Sequence, residues 1–255
     1  MSVGKVSIGK EFVIQVGYGG LGDHLFHSHL PRIAKATGAY SRVLVSRRSV
    51  CRNESYLQLV WEQNPYVDGF CDEEALIPEF EHVEPGMNLL DKIMLERGLD
   101  DGARFHEPEV YYKPKVIPEL SGKRLYDPNY VSNAGYIPPR EFQQFFRERG
   151  LPDLQLSPGA KSHPAPGECP EMKTKDLWEY CDFIASCEEF MCLTSGGATL
   201  AAALGKRATV LYGRGVLPRF HHSRLHTYVL LQLPLWRRSL GKIKRRLMAG
   251  DAAKG

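Results

Sequence analysis

The chain has 255 residues, 43% hydrophobic and 25% charged, with a net charge of +3. This composition supports a buried core and excludes a disordered chain; the near-neutral charge gives no global argument for nucleic acid, and no run approaches the roughly 20 apolar residues of a membrane span. The six cysteines include no Cys-x-x-Cys, Cys181, Cys187 and Cys192 are irregularly spaced, and the N-terminus lacks a cationic segment followed by an apolar stretch, so free buried thiols, no secretory signal and a cytoplasmic location are expected.

Residues 12–16 form a short apolar strand, followed at once by Gly17-Tyr18-Gly19-Gly20-Leu21-Gly22-Asp23. A helical pattern then covers 22–37, interrupted by Pro31 and stopped by Gly38. Residues 42–46 give a second strand, and strand, helix and strand on short connections mark a parallel sheet. Helical patterns recur at 50–63 and 88–97, while the proline-broken segment 107–118 reads as strand or connector. Pro114, Pro118, Pro128, Pro138 and Pro139 cluster at the expected domain boundary. Beyond it come a helix at 140–149, a strand at 154–156 leading into Ser157-Pro158-Gly159-Ala160-Lys161, a proline-rich loop at 163–170, and a helix at 174–187 with Thr174 as its N-cap. The strand at 190–193 runs into Thr194-Ser195-Gly196-Gly197-Ala198-Thr199, the helical run 200–204 and a last strand at 208–212.

Both glycine-rich loops read as strand, tight turn and helix start, a geometry that aims N–H groups and a helix dipole at one spot and suits a phosphate. Two such loops point to two nucleotide-fold halves facing each other across a cleft. Gly17-x-Gly19-x-x-Gly22 matches the dinucleotide fingerprint, and Arg47 or Arg48 after the second strand is placed to accept a 2′-phosphate. Asp23 opposes that reading, because a carboxylate at this helix start repels a diphosphate. Asp23 is instead suited to be a general base toward an acceptor hydroxyl, or to cap its helix. In the second loop Ser195, Gly196, Gly197 and Thr199 supply close backbone approach and hydroxyl donors for phosphate oxygens; the alternative is a tight turn capped by Ser195.

Gly19-Gly20-Leu21-Gly22-Asp23, then Asn64-Pro65-Tyr66-Val67-Asp68, then the run from Ser195 through Lys206 resemble the family 9 glycosyltransferases, the lipopolysaccharide heptosyltransferase group. The matches fall in family order and span most of the chain. The resemblance implies an α/β GT-B fold of two Rossmann-like domains: residues 1–125 on the acceptor side and 126–233 as a compact nucleotide-sugar domain, with 234–255 as a basic amphipathic tail. It implies metal-independent, inverting transfer, with Asp23 as catalytic base, Gly20, Gly22 and His24 on the acceptor side, and Ser195, Gly196, Gly197, Thr199 and Lys161 on the donor. Thr194, Ser195 and Gly196 stand where the family usually carries Asp-Thr-Gly, and Thr199 where it carries His, which removes one expected diphosphate contact.

His24, beside Asp23, is expected to tune the base or touch the acceptor. His222 and His226 are spaced to share a helix face, but no Cys or carboxylate lies at ligand spacing, so neither a metal nor a cofactor is expected. There is no Asp-x-Asp, which disfavours metal-dependent GT-A enzymes, and no Gly-x-Ser-x-Gly. In 235–247, Trp236, Leu240, Ile243 and Leu247 recur at helical spacing among Arg and Lys. This suits an interfacial helix on an anionic membrane or a docked helix with a solvated basic face, and not nucleic acid. The expected partners are a nucleotide-sugar donor and a glycan or glycolipid acceptor. The rivals are a UDP-sugar epimerase of the same fold, an NADP-dependent oxidoreductase, and a non-catalytic nucleotide-sugar-binding module.

Overall fold

A computed structural model describes residues 10–79, 83–131 and 134–232. In the first half, β1 (Lys10–Ile14), β2 (Tyr40–Ser46) and β3 (Gly69–Cys71) form a three-stranded parallel sheet in that order. Phe12 pairs with Val43 and Ile14 with Val45, all four buried. The helix expected over 22–37 is two helices, α1 (Leu21–Leu25) and α2 (Leu30–Ala36). Pro31 sits in the first turn of α2, where its missing N–H costs nothing. α3 (Glu54–Leu57), capped by Asn53, runs into a π-helical turn over Gln58–Glu62 that buries Trp61. Asn88 and Asp91 cap α4 (Leu89–Glu96) reciprocally. Residues 107–116 form a connector without a strand, and Tyr112 O–H and Lys115 N–H donate to Asp182 in the second half at 2.9 and 2.8 Å.

The second half contains β4 (Arg124–Asp127), α5 (Pro139–Arg149), β5 (Leu154–Leu156), β6 (Glu171–Met172), α6 (Leu177–Ser186), β7 (Glu189–Leu193), α7 (Gly196–Ala203), β8 (Ala208–Gly213) and β9 (Thr227–Leu231). Its six strands lie in the order β6-β5-β4-β7-β8-β9, every neighbouring pair parallel. Chain direction across the sheet therefore reverses between β4 and β7, and the crevice outside their carboxyl ends is the switch point where open α/β sheets bind ligands. Among the described residues the larger sheet belongs to the second half. That sheet starts at Arg124, just ahead of the expected break between 125 and 126. The cap of α6 is Asp176, whose carboxylate accepts the Glu179 N–H at 2.8 Å, and not Thr174.

One buried cluster runs through both halves, from Phe12, Ile14, Leu25 and Trp61 to Phe190, Leu200, Ala201 and Val210. A second, on the other side, gathers Tyr126, Phe142, Phe145, Phe146, Met191, Leu193, Leu211 and Leu231 around the amphipathic α5. The run Gly-Gly-Ala-Thr-Leu-Ala-Ala-Ala of α7 is buried along most of its length, its small side chains letting the helix lie close to what surrounds it. All six cysteines are free, with Cys181, Cys187 and Cys192 buried. Among the described residues no helix is long and apolar enough to cross a membrane; the tail at 234–255 lies outside them.

Candidate functional site

The first loop leaves β1 and is clamped from the side: Val50 N–H donates to Val16 O at 2.9 Å and Arg52 N–H to Gly19 O at 3.1 Å. Asp23 lies in the first turn of α1, and its carboxylate accepts the Gly20 N–H at 2.9 Å. The capping reading of Asp23 is thus met, and it explains Gly20: a side chain there would start 2.8 Å from the same carboxylate oxygen. Burial raises the Asp23 carboxyl above its ordinary value, against the pull of the Gly20 amide and the Arg52 charge. A raised carboxyl pKa is the direction a general base needs to work near neutral pH.

His24 stands behind this loop, not at its mouth. It is fully buried, its Nδ1 accepts the Trp61 indole N–H at 2.9 Å, and its Nε2 therefore donates to Val50 O at 3.1 Å. Burial lowers it to about 4, so it is neutral. Both ring nitrogens are engaged in holding the loop, which leaves no atom of the ring for an acceptor. His27 and His29 are also buried, each lowered by burial to about 3. His222 and His226 share no helix; His226 bridges Ala208 N–H and Ala198 O, and His222 packs edge-on to Phe26.

In the second loop Ser195 is the N-cap of α7, its Oγ accepting the Gly197 N–H at 3.2 Å. The Thr194 hydroxyl, at the base of the loop, is buried without a hydrogen-bond partner. Gly196 faces the first loop: a side chain on it would start 3.2 Å from the Gly22 amide nitrogen and 3.3 Å from Leu21 Cβ. Thr199 is buried in the same contact, its hydroxyl 3.4 Å from where a side chain on Gly22 would begin. Gly22, Gly196 and Thr199 are therefore brought together, as the packing surface between α1 and α7. Thr199 faces Gly22 and is not open to a ligand. Two positive helix ends meet here, which favours negative charge nearby; Asp23 supplies one. The Lys161 ammonium donates to Val131 O at 3.0 Å, in the loop after β4.

The sequence reading missed a network under the second loop. Asp127 ends β4 at the switch point and is buried. Its carboxylate accepts the Tyr180 hydroxyl at 2.5 Å and, on the other oxygen, the Asn129 N–H and Nδ2–H at 3.0 Å each. Asn129 Oδ1 in turn accepts the Gly159 N–H at 2.6 Å, holding the loop after β5. Burial raises the Asp127 carboxyl, opposed by these donors, and burial next to Asp127 pushes the Tyr180 phenol well above its usual value, so it stays a donor. The available signal was Asp127-Pro128-Asn129 closing an apolar strand, but its meaning depends on strand order.

No protein-family model matches the chain, and no curated protein does. Solved structures match its fold. The glycosyl transferase family 9 structure from Veillonella parvula superposes with a TM-score of 0.58 at 12% identity, covering 92% of this chain and 89% of that one. ADP-heptose LPS heptosyltransferase II of E. coli gives 0.56 at 13%, covering 86% and 90%. The iron-containing dodecameric glycosyltransferase TibC of enterotoxigenic E. coli, also solved with ADP-D-β-D-heptose, gives 0.57 at 15%, covering 84% of this chain and 61% of TibC. The chain thus has the fold of family 9 glycosyltransferase structures, with the parallel α/β sheets expected of a GT-B-like protein.

Proposed function

We propose that the chain is an inverting, metal-independent glycosyltransferase that moves a heptose or hexose from a nucleoside-diphosphate sugar to a surface-glycan acceptor at the cytoplasmic side of a membrane. The observation that carries this reading is the meeting of two helix starts at the carboxyl ends of the sheets, the α1 start bearing Asp23 and the α7 start bearing Ser195, Gly196 and Gly197. The fold shared with heptosyltransferases, one of them holding ADP-D-β-D-heptose, supports the same class of donor.

Asp23 takes the proton of the acceptor hydroxyl as that oxygen attacks the anomeric carbon. The bond from that carbon to the diphosphate breaks, and the nucleoside diphosphate leaves with the negative charge. The Gly196 amide and the dipole of α7, with the Ser195 and Thr194 hydroxyls, stabilise that charge as it develops. Asp23 keeps its place because its carboxylate is tied to Gly20 and α1 is braced by His24 and Trp61.

The test is nucleoside diphosphate release from a panel of nucleotide sugars by the full chain, with ADP binding measured in parallel. At least one sugar nucleotide is expected to turn over. Gly197→Val, whose side chain would meet the Tyr180 hydroxyl and an Asp127 oxygen, should abolish ADP binding in a folded protein. Undiminished ADP binding by folded Gly197→Val, or tight binding of NADP in place of any sugar nucleotide, overturns the assignment.

A further inference from the structure

Asp127 poses a physical problem for a diphosphate site. A side chain added at Gly197 would start 2.2 Å from the Tyr180 hydroxyl and 3.1 Å from an Asp127 oxygen. The carboxylate therefore lies directly beneath the α7 turn that the donor reading uses. An unscreened negative charge at that depth repels a second anion strongly, because little water intervenes. Yet the carboxylate is not bare: Tyr180 covers one oxygen at 2.5 Å, and Asn129 covers the other with two N–H groups.

We infer that Tyr180 and Asn129 are positioning residues for the donor, acting through Asp127: their hydrogen bonds cover the Asp127 charge beneath the α7 turn and tie α6 and the loop after β5 to one fixed point at the switch point. This rests on the reading that the Ser195–Gly197 turn takes the diphosphate. It goes beyond it in naming residues that need not touch the donor. The geometry is specific. Gly197 has no room for a side chain because the Tyr180 hydroxyl occupies that space, and Asn129 spends its carbonyl on Gly159 while its N–H groups serve Asp127. Thus one carboxylate, through Tyr180 and Asn129, sets the relative position of α6 and the loops after β4 and β5 beneath the α7 turn.

The charge argument separates this role from simple packing. Tyr180→Phe keeps the ring and removes the donor, leaving Asp127 with an uncovered charge under the turn. Asp127→Asn keeps the shape and removes the charge. The experiment is calorimetric titration of ADP into the full-length variants, with thermal melts to confirm folding. Tyr180→Phe should bind ADP about tenfold or more weakly, the scale of losing a hydrogen bond to a charged group. Asp127→Asn should stay within about threefold of wild type, and Tyr180→Phe combined with Asp127→Asn should recover to that level. Asn129→Ala, which removes the side-chain donor from the other oxygen and keeps the backbone N–H there, should weaken ADP in the same direction and be rescued by the same Asp127→Asn change, so the test survives if Tyr180→Phe does not fold.

Wild-type affinity in both Tyr180→Phe and Asn129→Ala overturns the proposal. So does a double variant as weak as its parent, which would make Tyr180 a strut of the loop and no more. If the wild type binds none of ADP, GDP and UDP, the donor-loop reading falls and takes this inference with it. If the wild type binds ADP and Gly197→Val abolishes it while Tyr180→Phe and Asn129→Ala do not weaken it, the reading stands and only the inference falls.

Discussion

The Cα of Gly196 lies 3.5 Å from the point where a side chain on Gly22 would begin, so α1 and α7 touch through glycine at the first turn of each helix. A single methyl at position 22 meets ordinary van der Waals distances to Thr199 and Gly196, and a branched side chain adds two further carbons at that contact. Gly22→Ala should therefore leave stability within about 1 kcal/mol of wild type, while Gly22→Val should cost about 1–3 kcal/mol through overpacking. The measurement is urea unfolding of both variants. Equal midpoints for Gly22→Val and wild type would show that the two helix starts do not press on each other in solution.

Asp23 has both a structural and a proposed chemical role, and Asn separates them. Its side-chain oxygen can still accept the Gly20 N–H, now bonded at 2.9 Å, so the helix start should hold. The basicity is lost. Turnover by Asp23→Asn should fall by about 10²–10⁴, the usual weight of a general base, while ADP affinity changes little. Because burial raises the Asp23 carboxyl, the wild-type rate should climb with pH through a value above that of an ordinary aspartate, as the base form appears. Undiminished turnover in Asp23→Asn would leave the residue as a helix cap only.

Much of the fold was legible because it rests on local pattern. Short apolar runs followed by glycine-rich turns gave the strands before both loops, and Ser195 was recognisable as a cap. Other features depend on strand order, which no local pattern carries. The switch point beside Asp127 follows from β4 lying next to β7, 62 residues apart in sequence between Asp127 and Glu189. The close fit of Gly22 against Gly196 likewise joins distant segments, so glycines that read as phosphate-loop residues serve partly as a helix contact. His24 looked available because it follows Asp23, but its neighbours in space, Trp61 and Val50, decide its role.

The segment 235–247 lies outside the described residues, and its charge pattern alone yields a test. Six cations stand between Arg237 and Arg246 with no acid among them, beside Trp236, Leu240 and Ile243. Each cation near an anionic surface contributes about 1 kcal/mol, and salt screens it away. Full-length protein should co-sediment with anionic but not neutral vesicles at low salt, and a chain cut before Leu235 should not. Equal partitioning of the two chains would remove the tail from any membrane role.

The buried histidines make the fold sensitive to acid. Burial holds His24 at about 4 and His27, His29 and His222 at about 3. In the unfolded chain each returns to about 6.5. Between those values the unfolded state takes up protons that the folded state does not, so stability is complete above about pH 6.5 and falls as pH drops below it. At about pH 5 each such group costs roughly 2 kcal/mol at most. His106 works in the opposite sense: its bond to Asp91 raises its pKa, so its contribution is present below 6.5 and is lost as pH rises through the raised value. One group against four does not reverse the trend. Urea unfolding should show a midpoint that is nearly level above about pH 7 and drops steeply from about pH 6 to 5. A midpoint unchanged over that acid range would mean that these imidazoles are reached by water and protonated without unfolding.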